Sequence, residues 1–182
     1  MKWSRCIVIW RKSRQRKCEK KTNEITAIPE IIKRLNLENV ICTWDALNTQ
    51  KANIKAVIEK GGDYCVALKG NQGNFYKDVQ DYFDEDRLLI IESGYEGGYQ
   101  LTMEKNHEAV ITYEYYQTEK VNWYEEIEEW KGLKSIRLVK KTIEKSDGGK
   151  VEEKRYYIFS CLYPEKIYKA IDFFIKFFLF VL

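Results

Sequence analysis

The sequence predicts an α/β fold whose second half is rich in β-strands. The first indication is a strand, a helix and a second strand at Val40–Trp44, Gln50–Lys60 and Tyr64–Leu68. Parallel neighbouring strands need a crossover of this kind, so the two strands are expected side by side in a sheet covered by helices. The second indication is an alternation of polar and apolar residues from Glu108 onward, which is typical of half-buried strands.

Further elements follow from local patterns. Apolar residues recur at helical spacing over Ala27–Leu37, and again from Phe75 to Phe83, and predict one helix in each place. Gly61 and Gly62 end the helix at Gln50–Lys60. Ser135–Glu144 and Val151–Leu162 are predicted strands, and the run Ser146-Asp147-Gly148-Gly149 between them is typical of a hairpin turn.

The charge is divided unevenly along the chain. The 182 residues carry a net charge of +3, with 45% hydrophobic and 32% charged residues, as in a globular protein. Residues 1–22 hold nine Lys or Arg against one Glu, whereas residues 81–129 hold fourteen carboxylates against three basic side chains. The basic arm either binds phosphates or is a solvated tail, and its charge alone does not decide between the two.

Cysteine and histidine usage argues against a structural zinc site and for a reducing compartment. The five Cys include no CxxC pair, and His107 is the one His. The apolar run Cys6–Trp10 is too short for a signal peptide, and Asp172 and Lys176 interrupt the apolar tail Ala170–Leu182. We therefore expect a cytoplasmic protein with no membrane partner.

Asp45 is the first candidate functional residue. It directly follows a predicted buried strand, and open α/β sheets bind their ligands at the carboxyl ends of such strands. An Asp in this position is also a common helix cap or turn residue. Position alone leaves both interpretations open.

Several segments carry a family resemblance. Residues 23–30 are NEITAIPE, residues 43–50 are TWDALNTQ, residues 61–73 are GGDYCVALKGNQG, residues 130–136 are WKGLKSI and residues 155–158 are RYYI. In this order they closely resemble one subgroup of the DDE transposases of bacterial insertion sequences. The resemblance covers about Lys20–Leu162.

The resemblance implies a partial RNase H-like fold, a mixed sheet with flanking helices, that carries a β-rich insertion. On this basis residues 1–19 form a basic arm that does not match the family, and residues 20–86 form the partial RNase H-like core. Residues 87–162 form the β-rich insertion, and residues 163–182 form an apolar tail that again does not match.

The resemblance also implies metal-dependent DNA cleavage and strand transfer at transposon ends. Family members hold two Mg²⁺ or Mn²⁺ ions with two Asp and one Glu, and Asp45 matches the second Asp as a catalytic and metal-binding residue. Lys69, Asn71 and Gln72 lie on the loop after the second strand. They are expected either to contact DNA near the active site or to form a plain turn.

The departures from the family pattern predict an inactive chain. Residues 1–19 contain no Asp, residues 163–182 contain neither His nor Trp, and Glu165 has no matching context. Near His107 the family's Arg and Glu are lost, and this His is expected in a turn or a packed strand. With one of three carboxylates, metal binding should be weak or absent.

Two further expectations follow. The alternative function is a non-enzymatic remnant that binds DNA, intact transposase or a second copy of itself and interferes with transposition. Without their N-terminal neighbours, the strands Val40–Trp44 and Tyr64–Leu68 should present exposed sheet edges, and with the apolar tail Phe173–Leu182 they should make the chain poorly soluble.

Overall fold

The computed structural model describes residues 5–8, 29, 31–44 and 46–161. Within these ranges, seven strands form one mixed sheet in the order β1-β2-β3-β7-β6-β5-β4. The strands are β1 Arg5–Val8, β2 Val40–Thr43, β3 Asp63–Leu68, β4 Gly98–Lys105, β5 Ala109–Thr118, β6 Ser135–Lys145 and β7 Lys150–Phe159. The α-helices after β2 are α1 Lys51–Glu59, α2 Gly73–Tyr82 and α3 Glu85–Glu92.

The parallel half of the sheet confirms the predicted strand, helix and strand. β2 and β3 are parallel neighbours, with Ile41 opposite Asp63, and α1 connects them. Helix α1 ends because Gly61 adopts a φ of 73°, a left-handed conformation that glycine tolerates without strain. The predicted pattern of apolar residues therefore identified both strands and the helix between them.

The predicted helix over Ala27–Leu37 is shorter at its carboxyl end. Residues 31–34 are helical and the chain bends at residue 35, while residues 27, 28 and 30 lie outside the described part. Leu37 is fully buried, and a Cβ added to Gly62 would lie 2.9 Å from the Cβ of Leu37. This close approach fixes the segment after the helix against the turn before β3.

The antiparallel half contains the predicted strands and hairpin. β6 and β7 pair across the turn at residues 146–149, where the Lys145 N–H donates to the Gly149 carbonyl at 2.8 Å. β5 pairs with β6, and β4 pairs with β5 at the edge of the sheet. β7 also pairs with β3 in antiparallel fashion, so strands of both halves belong to one sheet.

The expectation of exposed edges at Val40–Trp44 and Tyr64–Leu68 is wrong. β2 lies between β1 and β3, and β3 lies between β2 and β7. β1, at Arg5–Val8, comes from the basic arm and pairs parallel to β2, with Arg5 opposite Val40. The edges were misjudged because both pairings are non-local and leave no periodic signal in the sequence.

The main core lies on the face of the sheet that the helices cover. Ile54 and Val57 of α1, Phe75 of α2 and Ile91 of α3 are buried there against strand residues such as Ile158. The mixed α/β architecture expected from the sequence is therefore present. Among the described residues, no helix combines the length and apolar character needed to cross a lipid bilayer.

Candidate functional site at the carboxyl edge of β2 and β3

The candidate site lies where β2 and β3 end side by side. β2 ends at Thr43, the buried Trp44 follows, and a 3-10 turn begins at the buried Ala46. Asp45 itself lies outside the described residues. Its chain neighbours Trp44 and Ala46 lie at the carboxyl end of β2, and this is the edge where an α/β sheet presents ligand-binding groups.

Two side-chain amides clamp the loop that follows position 45. The Asn71 Nδ2 and the Gln72 Nε2 each donate to the Ala46 carbonyl at 2.9 Å, and the Gln72 Nε2 also donates to the Thr49 carbonyl at 3.0 Å. The Gln72 Oε1 accepts from the Lys69 N–H at 2.7 Å. Gln72 thereby ties the loop after β3 to the loop after β2.

The loop after β2 is also attached to its own surroundings. The Thr49 Oγ1 donates to the Ala67 carbonyl of β3 at 2.8 Å, and the Asn53 Nδ2 donates to the Asn48 carbonyl at 2.8 Å. Thr49 and Asn53 are each 1% exposed. Burying such polar groups is costly unless they form hydrogen bonds, so these contacts favour one conformation of the loop.

The structure accounts for Asn71 and Gln72 as parts of this clamp. Both belong to the 3-10 turn Gly70–Gln72, and their amides bond to the chain itself. The side chain of Lys69, in contrast, is exposed, and it forms no ion pair with any described residue. Of the three residues expected on this loop, Lys69 is the one whose side chain points to solvent.

The described residues do not supply a carboxylate cluster. They contain no group of three His, Cys, Asp or Glu side chains arranged to hold a metal ion. Asp63 is level with Ile41, four positions before Asp45, which is about 13 Å along the strand. Its Oδ1 accepts from the Ser160 Oγ at 2.8 Å. Asp63 therefore lies at the other end of β3 and has a packing role.

Lys51, at the amino end of α1, forms ion pairs with two carboxylates of a distant segment. The Lys51 Nζ contacts Glu129 and lies 3.9 Å from the Glu126 Oε2. It also lies 5.8 Å from the centre of the Trp130 ring. These contacts hold the segment around residues 126–130 against the start of α1.

His107 is exposed and lies in the turn between β4 and β5. Of the two expected placements, a turn or a packed strand, the structure shows the turn. The Asn106 Oδ1 organises this turn by accepting from the N–H groups of Glu108 at 2.9 Å and Ala109 at 2.8 Å. This turn joins the two strands that lie farthest from β2 in the sheet, so His107 lies away from the carboxyl end of β2.

A second polar site, centred on Glu96, was missed by sequence reasoning. The side chain of Glu96 is 4% exposed. Its Oε1 accepts from the Tyr82 hydroxyl at 2.7 Å and the Thr118 hydroxyl at 3.0 Å. Its Oε2 accepts from Lys120 at 2.7 Å and Arg87 at 3.0 Å. The carboxylate thus joins α2, α3 and the end of β5.

The surroundings of Glu96 stabilise its charged form. Burial by itself raises the pKa of the carboxyl group, but hydrogen bonds from Lys120, Tyr82 and Thr118 and the charge of Arg87 outweigh that effect and lower the pKa to about 2. In the sequence, the feature beside Glu96 that could have drawn attention to this site is Gly97. In the structure Gly97 has a φ of 67° and lies so close to the Gln117 carbonyl that no Cβ fits there.

The chain is similar in sequence to several bacterial proteins. No protein-family model matches the chain. The chain is 34% identical over 125 residues to an uncharacterised protein from the region 3′ of dhlA in Xanthobacter autotrophicus, a match that covers 69% of this chain and 41% of that protein. It is 34% identical over 149 residues to YncI of Escherichia coli O157:H7, named as a presumptive transposase, covering 80% of this chain and 37% of YncI.

A shorter match has a higher identity. YbfD of Escherichia coli K12, named as a presumptive transposase associated with the H repeat, is 44% identical over 69 residues, which are 38% of this chain and 27% of YbfD. The chain therefore spans less than half the length of each of these relatives. The similarities support a transposase family and a transposase-related function.

The clamp predicts a local stability effect. Gln72→Ala removes two hydrogen bonds between the two loops and one within the loop after β3. It should lower the free energy of unfolding by about 1–3 kcal/mol, measured by urea denaturation. Asn74→Ala, at an exposed neighbouring amide on α2, serves as the matched control and should change it by less than about 0.5 kcal/mol. Equal effects of the two substitutions would contradict the clamp.

The Glu96 site predicts a pH-dependent contribution to stability. Because the folded-state pKa of about 2 lies below the ordinary value of 4.5, the ionised carboxylate stabilises the fold above about pH 4.5 and loses this effect as the pH falls toward 2. At pH 7 the free energy of unfolding of the wild type should exceed that of Glu96→Gln by about 2–3 kcal/mol. This difference should shrink between pH 5 and pH 2. Exposed Glu119→Gln is the control, and a difference that stays constant with pH would refute the assignment.

Proposed function

We propose that the chain derives from a DDE transposase of a bacterial insertion sequence and retains the middle of an RNase H-like catalytic core. The observation that supports this most is the pair of parallel strands β2 and β3, whose following loops are joined by the clamp residues directly after position 45 in the sequence. Relatives named as transposases, at 34–44% identity, support a transposase family. The reaction of such enzymes is DNA cleavage and strand transfer in transposition.

In this proposal Asp45 is the surviving catalytic carboxylate, and the loop clamp positions it. The Ala46 carbonyl, directly after Asp45, accepts from both Asn71 and Gln72. Two hydrogen bonds to this carbonyl restrict the loop that begins directly after position 45, and a preorganised ligand requires a restricted loop of this kind. Gln72 and Asn71 then act through the loop, and Lys69 is the proposed contact with a DNA phosphate.

The described residues do not supply the ligands of a two-metal site. Two divalent cations held a few ångströms apart need several carboxylates to offset their repulsion, and the described residues contain no cluster of three ligands. Asp63 is at the other end of β3 and bonds to Ser160. We therefore propose that Mg²⁺ or Mn²⁺ binds this chain weakly at most, and that the chain by itself does not cut or join DNA.

The basic arm, residues 1–22, favours a second candidate function, which is binding without catalysis. Nine Lys or Arg against one Glu in residues 1–22 form a strong local positive charge, and neutralising phosphates releases counterions. A chain that retains the fold but lacks the carboxylates could hold DNA, intact transposase or another copy of itself and interfere with transposition. Retention on DNA that weakens steeply with salt and produces no nicks would support this function.

The inactivity is testable with supercoiled plasmid and Mn²⁺. The purified chain should produce no more nicked DNA than its Asp45→Asn variant, because positioning and charge stabilisation supply nearly all catalysis of phosphoryl transfer. Asp63→Asn is the matched control, because it makes the same substitution at the start of β3, away from the carboxyl ends of β2 and β3. Nicking that disappears in Asp45→Asn but persists in Asp63→Asn would show that a complete ligand set exists, and would contradict the proposal.

A further inference from the structure

The sheet ends on one side in a strand with an open edge. β4 is the terminal strand of the sheet that the described residues form, and β5 is its one neighbour there. In an edge strand every second residue directs its N–H and C=O away from the sheet, where they can pair with a further strand. These backbone groups favour one kind of occupant, which is another extended strand.

Apolar side chains are exposed along this edge. Tyr99 lies opposite Tyr116, a member of the main core, so the alternate residues Leu101 and Met103 share the face of the sheet that the helices cover. Leu101 is 47% exposed and Met103 is 63% exposed. The helices therefore leave the rim of this face uncovered, and a neighbouring strand would remove its apolar surface from water.

We propose that this edge binds a second copy of the chain, with the two β4 strands antiparallel and the two copies of Thr102 directly opposite each other across a twofold axis. Opposed residues of an antiparallel pair share one face of the sheet and direct their backbone groups in the same way. A strand that pairs with itself meets this condition when a residue stands opposite its own copy. Positions 99–105 then pair with positions 105–99 of the second copy.

The register centred on Thr102 joins the exposed apolar side chains. In it Leu101 faces Met103 of the second copy, and the twofold axis makes this pair occur twice. Directly opposed apolar pairs stabilise antiparallel strands. The Thr102 Oγ1 is buried and has no hydrogen-bond partner among the described residues. After a rotation about χ1 it can bond the Thr102 hydroxyl of the second copy, and cross-strand bonds between threonines are favourable.

The same register keeps like charges apart. Glu104 faces Gln100 of the second copy, and Lys105 faces Tyr99. A register centred on Glu104 or on Lys105 would place identical charges directly opposite each other, which destabilises a strand pair. Charge and apolar contacts therefore favour the same alignment of the two strands.

This pairing closes at two copies, because each chain contributes the same edge and uses it once. A single pair of short strands is a small interface, so we expect a dimer that dissociates on dilution. The pairing gives a surface for the self-association in the second candidate function. It rests on the geometry of the β4 edge and requires no DNA.

Sedimentation equilibrium of the full chain without DNA tests the pairing. The wild type should change from monomer to dimer as its concentration rises. Met103→Lys sets a charge opposite Leu101 and should raise the dissociation constant at least about tenfold. Val151→Lys is the matched control, because Val151 is also an exposed apolar residue but lies on β7, three strands from the edge. It should leave the constant within about twofold.

A wild type that stays monomeric up to about 1 mM would overturn the proposal. So would a dimer that Met103→Lys weakens no more than Val151→Lys does, or larger assemblies that survive Met103→Lys. The plasmid assay tests the proposed function separately, so the failure of one proposal leaves the other standing.

Oxidative crosslinking measures the register. Thr102→Cys should form a disulfide between two copies, because the Cβ atoms of directly opposed residues lie about 4.5–5.5 Å apart. Leu101→Cys is the control, since position 101 and its counterpart are displaced by two residues, about 7 Å along the strand. Mass spectrometry should identify position 102 linked to itself. Faster crosslinking at position 101, or links from position 102 to peptides outside β4, would contradict the proposed register.

Discussion

The pairing of β3 with β7 is the constraint on which the rest of the structure depends. It places Cys65 opposite Phe159 and Leu68 opposite Tyr156, and thereby joins the parallel and antiparallel halves in one sheet. Ser160 reinforces the junction, because its Oγ accepts from the Tyr64 N–H at 2.8 Å and donates to Asp63 at 2.8 Å. These partners are about 96 residues apart in the chain, so the contacts form only when both halves are folded together.

The same junction determines what the candidate site can contain. Asp63 is used at the start of β3, so it is unavailable to position 45, whereas the opposite end of β3 leads into the turn that carries Gln72. The amide of Gln72 and the hydroxyl of Thr49 then attach the loop after β2 to β3. Hydrogen bonds therefore join the two loops at this edge, and the described residues include no group of three side chains that could hold a metal ion.

Elements with a strong local period could be predicted from sequence, and those that depend on distant partners could not. β2, α1, β3 and the β6–β7 hairpin each carry an apolar pattern or a turn signal. β1 lies in a highly charged arm, and β4 has exposed Leu101 and Met103 beside Glu and Lys, so neither resembles a buried strand. The Glu96 site brings together five side chains from α2, α3, the end of β5 and two loops, so no local pattern marks it. The role of Asp45 rests on family resemblance alone.

Native-state hydrogen exchange of β3 and β7 tests the account most directly, because it measures whether the two halves open together. If their pairing holds the sheet together, the amides of Cys65–Leu68 and of Tyr156–Phe159 that lie in the ladder should exchange with the same free energy, equal to that of global unfolding. Amides of β3 that exchange at a much lower free energy than those of β7 would show that the halves unfold separately, and would contradict a single sheet.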